Sequence, residues 1–298
     1  MAKRQYIVGI GELFWEHLPE DRRLGGSPVN FAYHMSRQGW KGIVAAAVGS
    51  DQAGDEAIKE LEDMELDTSF IQRNPTTTGI MTTETAGDEI KQILSSPAAW
   101  DFLSWNDSLA KLAEETHAVT FGTLSQRSAA SRETIRNFIT SLPSKCPKIL
   151  DLNFYPGHID KNIIVESLGM ANILKLNEQE MNVCRKMLSL TGAPAEGAYT
   201  MIERYQLAAV IITKGEKGVS YYDKEICFDL GNPAKDIEVV DTAGCGDAFL
   251  AAFLAARIFG HAPQPAVEHA QLVASYVAAC PEAAPEIPEE LRVKGNVQ

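Results

Sequence analysis

A carboxylate and two glycines stand where a strongly apolar run begins. Val239 to Phe249 reads VVDTAGCGDAF, and Asp247 opens the run AFLAAFLAARIF, apolar on nearly every face. The expected local structure is a strand over Ile237–Val240, a turn carrying Gly244 and Gly246, and a helix buried inside a domain. A helix N-terminus offers unpaired N–H groups and the positive end of the dipole, and so attracts anions. Glycine lets backbone approach a ligand closely. Asp247 is then either an ordinary helix cap or a base held beside an anion-binding backbone.

Chemistry of the second kind needs partners, and in open α/β sheets they gather beyond the carboxyl ends of the strands. Glu12 and Glu16 follow the first strand. Gly25, Gly26 and, one helical turn on, Asn30 stand at the exit of a hairpin. Asp151, Asn153 and Tyr155 follow Lys148–Leu150; Asn177, Glu178 and Glu180 follow Ala171–Leu176; TKGEKG, Thr213 to Gly218, follows Ala208–Ile212. Each has a plain structural use, Asn177 and Glu180 as a capping pair among them. Their joint placement at one edge is the stronger signal. Carboxylates, amides, glycine turns and a helix N-terminus are the parts of phosphoryl transfer by positioning and electrostatics.

The elements that must hold these groups alternate. A first strand spans Gln5 to Glu12, and a hairpin Leu13 to Leu24 turns around Pro19–Asp21. Ser27-Pro28 caps a helix over VNFAYHMSRQ. A strand Gly42–Val48 and a helix Asp51–Met64 follow, then a hairpin of Thr76–Thr85 and Glu89–Leu94 around Ala86-Gly87-Asp88. Regular strand–helix alternation runs from Lys148 to Cys280, and the Pro- and Glu-rich tail Pro281–Gln298 reads as an extended surface segment. This pattern predicts a mainly parallel sheet covered on both faces, with the two hairpins as a small β layer.

Composition narrows the classes. At 298 residues, 45% hydrophobic and 22% charged, the chain is ordinary for a soluble globular protein. A net charge of −13 argues against a nucleic-acid surface. Without a membrane-length apolar run or a signal-peptide core, a cytoplasmic protein is expected. Five widely spaced cysteines without a CxxC pair point to reduced thiols rather than a disulfide frame or zinc site. There is no GxxxxGK[ST] loop, no GxSxG and no HExxH; Phe14 occupies the third glycine position of GxGxxG. His34 is expected to be packed or half-exposed rather than catalytic.

DTAGCGDAF resembles the DTxGAGDxF signature of the ribokinase/PfkB carbohydrate kinases. LGGSPVNFAYH is similar to their GG…N motif, DLNF to DxN, NEQE to NxxE, and TKGEKG to TxGxxG, in the family's order across almost the whole chain. The wording is nearest that of bacterial fructokinase-like members. The resemblance implies one ribokinase-like domain over 1–298, a three-layer α/β/α sandwich whose β lid is formed by roughly 12–26 and 76–95. It implies an ATP- and Mg²⁺-dependent kinase for a sugar hydroxyl, fructose first. Asp247 matches the base, and the backbone of Gly244, Cys245, Gly246 and Asp247 the anion hole. Asn177 and Glu180 match the residues that place the phosphates, Glu180 holding Mg²⁺ through water. Thr213, Gly215 and Gly218 match the nucleotide loop, and Gln271 stands near the adenine. Glu16, Gly25, Gly26, Asn30, Asn153 and Tyr155 match sugar-side positions. Asp241 stands beside the family's monovalent-cation loop, and the lid implies a homodimer contact.

The chain departs from its relatives at several points. Glu16 stands where Asp is usual, and Tyr155 replaces an Arg. CPEAAPEIP lacks the usual Gly-Ala, which bears on monovalent-cation dependence. Ribose, 2-keto-3-deoxygluconate or a nucleoside are alternative acceptors. A sugar- or nucleotide-binding protein with weak catalysis is the alternative of another class.

Overall fold

Strands rich in β-branched residues and alanine alternate with amphipathic helices in a computed structural model, which describes residues 6–18, 21–86, 89–234 and 237–293. The chain divides into two compact units, one of Met1–Tyr33, Lys41–Cys146 and Tyr155–Ile159, the other of His34–Trp40, Pro147–Phe154 and Asp160–Gln298. Among the described residues no helix is long and apolar enough to cross a membrane.

In the first unit the buried strands β1 (Tyr6–Ile10), β4 (Lys41–Gly49) and β8 (Thr116–Phe121) and the more exposed β5 (Ile71–Asn74) pair in parallel in the order β8-β1-β4-β5. Helices α1 (Ser27–Arg37), α2 (Gln52–Asp63), α3 (Asp107–Glu115) and α4 (Ala129–Ser141) accompany them. Asp51 caps α2, its carboxylate accepting from Gly54 N. The hairpins β2 (Phe14–His17) with β3 (Arg22–Gly25), and β6 (Gly79–Ala86) with β7 (Glu89–Leu94), form a separate sheet, order β3-β2-β6-β7. The expected small β layer is therefore present, its halves joined by a parallel β2–β6 pairing. Residues 19, 20, 87 and 88, at the two expected turns, lie outside the described residues, as does Gln5 at the expected start of β1. Strand β5 was not expected: IQRN has no apolar alternation to announce a strand.

In the second unit β9 (Lys148–Asp151), β10 (Ile173–Asn177) and β11 (Ala209–Thr213) run parallel, and β12 (Val219–Asp223) and β13 (Cys227–Leu230) continue antiparallel. Helices α5 (Lys161–Met170), α6 (Glu178–Met187) and α7 (Pro194–Tyr205) connect or flank them. On the face bearing Ala209, Ile211, Val219 and Tyr221 pack α8 (Cys245–Ile258) and α9 (Pro263–Ala278). Ala248 to Ala256 are all buried, and Phe249 stacks on Phe253. At roughly 1.5–3 kcal/mol per fully buried large apolar side chain, this packing anchors the turn that begins α8.

Three expectations are corrected here. Ile237–Val240 is not a strand. Val239 and Val240 are 46% and 57% exposed, and Val240 N and Asp241 N donate to the Ala278 carbonyl at the end of α9. The β-branched pair signalled a sheet, but the segment follows a helix end instead. Asp247 does not open α8: Gly244 is its N-cap and Asp247 its third residue. The tail is not merely superficial. Ile287 is fully buried against α8 and α9 and Ala283 is buried beside Gly244; Pro and Glu set the average polarity and hid these two apolar anchors.

Candidate active site

Parallel register brings the ends of β9, β10 and β11 to one edge of the second unit. Lys175 pairs with Asp151, and Asn177 with Thr213. Lys175 is buried in the otherwise apolar strand ILKLN, and its Nζ donates to Asp151 Oδ1 and Oδ2, both at 3.0 Å. Burial alone would lower the lysine pKa. The carboxylates of Asp151, Glu180 and Asp247 outweigh it and hold the ammonium above its usual value. Burial pushes the Glu180 carboxyl up, against the pull of Lys175 and of the Asn177 and Phe154 N–H groups.

Asn177 and Glu180 form a reciprocal capping box at α6. Asn177 Oδ1 accepts from Glu180 N at 2.9 Å, and Glu180 Oε2 from Asn177 N at 2.7 Å. Glu180 Oε1 accepts from Phe154 N at 3.0 Å. The plain capping use of these residues is thus real, and it fixes the Glu180 carboxylate close to Lys175.

Gly244 turns the chain into α8 with φ +73°, and a Cβ there would lie 2.0 Å from the Ala283 carbonyl oxygen. Only glycine allows that approach. A Cβ on Gly246 would lie 2.7 Å from Lys175 Nζ. The ammonium therefore sits directly beneath the backbone of the α8 N-terminus, with Asp247 buried in the first turn. Asp241 Oδ1 accepts from Ala243 N at 3.0 Å and steadies the turn. His34 is packed, as expected. Its Nε2 is 3.2 Å from the Ala283 carbonyl, and burial lowers its pKa to about 4, so the ring is neutral and donates there.

A cavity of about 440 Å³ opens beside this turn, in the size range of small-ligand sites. Thr213, Gly215, Gly218, Cys245, Gly246 and Gln271 line it, as do Asn232, Val239, Phe249 and Ser275. Gln271 Nε2 donates to the Gly231 carbonyl at 3.2 Å, and its buried Oε1 has no partner among the described residues. The exposed Val239 thus forms part of an apolar wall. Burial pushes the Cys245 thiol up to about 12, so it is a neutral thiol and no nucleophile.

The sugar-side residues of the first unit form another group. Glu16 on β2 lies opposite Arg23 on β3, whose Nε donates to Glu16 Oε2 at 2.6 Å. Gly25 lies opposite Phe14, and the Phe14 ring meets Tyr155 edge-on, centroids 6.4 Å apart. Gly26 has φ +118°, and a Cβ would lie 2.4 Å from the Glu12 carbonyl oxygen. Asn30 is buried on α1. Asn153, in the second unit, holds φ +39° just past β9. Sequence reasoning missed Lys175, Arg23 and Asn232. A lysine inside the apolar strand ILKLN was a legible signal; Arg23 and Asn232 carried none.

A profile for the pfkB family of carbohydrate kinases matches residues 21–290. A sugar kinase of Pyrococcus horikoshii, described as uncharacterized, is 30% identical over 266 residues, 83% of this chain and 81% of that one. A fructokinase of Salmonella typhimurium is 28% identical over 271 residues, 83% of this chain and 82% of the relative. A fructokinase of Xylella fastidiosa, solved with bound ATP, superposes with TM-score 0.82 at 20% identity, covering 96% of this chain and 95% of that one. The fold is thus the ribokinase-like α/β fold, with its larger, mostly parallel sheet and a separate small one. The chain belongs to the pfkB family of carbohydrate kinases.

Proposed function

We propose that the protein transfers the γ-phosphoryl group of ATP to a hydroxyl of fructose, with Asp247 as the base. The observation that carries this is the α8 N-terminus. Cys245 and Gly246 line the cavity, and the buried carboxylate of Asp247 follows in the same turn. In this reading the nucleotide occupies the cavity, with Thr213, Gly215 and Gly218 at the phosphate side and Gln271 at the base. Asp247 takes the proton from the attacking hydroxyl. The sugar oxygen bonds to the γ-phosphorus as the bond to the β–γ bridging oxygen breaks, and ADP departs. The N–H groups from Gly244 to Asp247 meet the developing charge. A placed base contributes roughly 10²–10⁴-fold, and one anion-hole donor on the order of 3 kcal/mol.

Among the described residues no three His, Cys, Asp or Glu side chains converge on a metal. Both Glu180 oxygens already accept backbone N–H groups. That donor set suits Mg²⁺ that keeps its waters and rides on substrate phosphates. Asn177 and Glu180 would hold it through water, and it would neutralise phosphate charge. Asp241 Oδ1 and the Ala283 carbonyl already have N–H partners, and no step here uses a monovalent cation. Glu16, Gly25, Gly26, Asn30, Asn153 and Tyr155 bind the sugar, and the small sheet serves as the lid over it. The Salmonella relative supports fructose over ribose, 2-keto-3-deoxygluconate or a nucleoside. ADP release over a sugar panel, with Asp247→Ala as control, tests the proposal. Fructose should give the highest turnover, at least 10²-fold above the variant. Equal release by wild type and variant with every sugar overturns it.

A further inference from the structure

We propose that Arg23 and Glu16 act as one sugar-recognition unit, in which Arg23 is a positioning residue that aims Glu16 Oε1 at a hydroxyl of a neutral acceptor. This rests on the kinase reading above. The two residues are directly opposed across the β2–β3 pair, and Arg23 Nε holds Glu16 Oε2 at 2.6 Å. Glu16 is only 9% exposed, and among the described residues its Oε1 has no partner. Oε1 is not walled off from solvent, so an acceptor hydroxyl can replace water there.

The surroundings say what would supply that hydroxyl. Residues two apart on a strand share a face, so Phe14 lies on the Glu16 side of β2. Across the parallel pairing Phe14 meets Gly79, and Glu16 meets Met81, which is buried. Tyr155 packs on Phe14. The ion pair is thus set in an apolar patch of Phe14, Met81 and Tyr155. A few polar atoms placed in apolar walls are what orient a small ligand.

Charge then selects the ligand class. Arg23 compensates Glu16, leaving an oxygen that only accepts. A neutral hydroxyl donates to it, whereas a phosphate or carboxylate on the acceptor meets like charge. Geometry explains why glutamate is tolerated at this position. Arg23 ties down one oxygen of the longer side chain. Shortening Glu16 to Asp withdraws the carboxylate by about one C–C bond, roughly 1.5 Å, and breaks the 2.6 Å contact.

Steady-state kinetics, with fructose and ATP varied separately, test the unit in Arg23→Ala, Arg23→Lys, Glu16→Asp and the Arg23→Ala/Glu16→Asp double variant. Circular dichroism checks folding. Arg23→Ala should raise KM for fructose about tenfold or more, the worth of a charge-assisted hydrogen bond. Its kcat should stay within about threefold and its KM for ATP should not move. Arg23→Lys should recover part of the loss. Glu16→Asp should resemble Arg23→Ala, and the double variant should be no worse than the worse single, because coupled residues are not additive. The 6-phosphate of fructose should be a poorer acceptor than fructose for the wild type. A KM for fructose within twofold of wild type in both Arg23→Ala and Arg23→Lys, additive losses in the double variant, or preference for the phosphorylated sugar overturns the inference. A wild type without sugar-dependent ADP release removes the kinase reading itself; an active wild type indifferent to Arg23 removes this unit alone.

Discussion

Replacing Lys175 by Met removes one cation from among three carboxylates. Asp151 loses a partner that donates to both of its oxygens, and Glu180 and Asp247 lose a favourable charge. The side chains of Lys175 and Asp151 are 9% and 5% exposed, so water does not step in. Breaking a buried pair by removing one partner costs about 3–5 kcal/mol, a large part of the roughly 5–15 kcal/mol that holds a domain folded. Urea unfolding at pH 7.5, followed by circular dichroism, should show a deficit of that size.

The pH dependence separates electrostatics from packing. In Lys175→Met the Glu180 carboxyl loses the cation that opposes burial and the Asp151 charge, and is held further above its unfolded pKa. Burial already pushes Glu180 that way with the lysine present. Groups with raised folded pKa favour the fold below the unfolded value and lose that contribution as pH rises through the folded one. The deficit should therefore shrink between pH 8 and pH 5. Adding Asp151→Asn to Lys175→Met should return part of the loss, because it removes a buried unpaired charge. A deficit under about 1 kcal/mol, or one independent of both pH and Asp151, would falsify the account of Lys175 as the counter-ion of this cluster.

Ile287→Ala should destabilise by about 2–5 kcal/mol, as for a large aliphatic side chain deleted from a packed core; a midpoint shift in urea too small to resolve would return the tail to the surface. The small sheet is also proposed as a homodimer contact, since β7 leaves Ile93 exposed at an edge strand. Sedimentation at micromolar concentration should show dimer, and monomer alone would refute the contact without touching the chemistry.

Long apolar periods made the fold legible. Strands β1, β4, β9, β10 and β11 and helices α8 and α9 came within a few residues of their places, because burial on both faces of a sheet writes itself into continuous apolar runs. What failed did so for identifiable reasons. Strand β5 is polar, held by its pairing with β4 rather than by a buried face. Val239 and Val240 are β-branched, but Val239 lines a cavity and Val240 is largely exposed. A ligand wall and a buried strand ask for the same residue types, so local propensity alone does not separate them.

The site was legible wherever backbone geometry restricts residue type. Gly244 and Gly246 each face an atom that a Cβ would strike, and such positions leave glycine in the sequence as a visible trace. Charge compensation leaves no such trace. Lys175 lies 24 residues from Asp151 in sequence, yet register alone sets them side by side. Arg23 acquires its meaning only when β2 and β3 pair and bring it opposite Glu16. A carboxylate can be picked out at a strand end, but whether it is a base, a counter-ion or a sugar ligand is decided by the cation that folding places beside it. Asp151 is tied up by Lys175 on both oxygens, Glu180 by two backbone N–H groups, and Glu16 on one oxygen only. Their chemical type is the same, and the number of oxygens left to a substrate separates their roles.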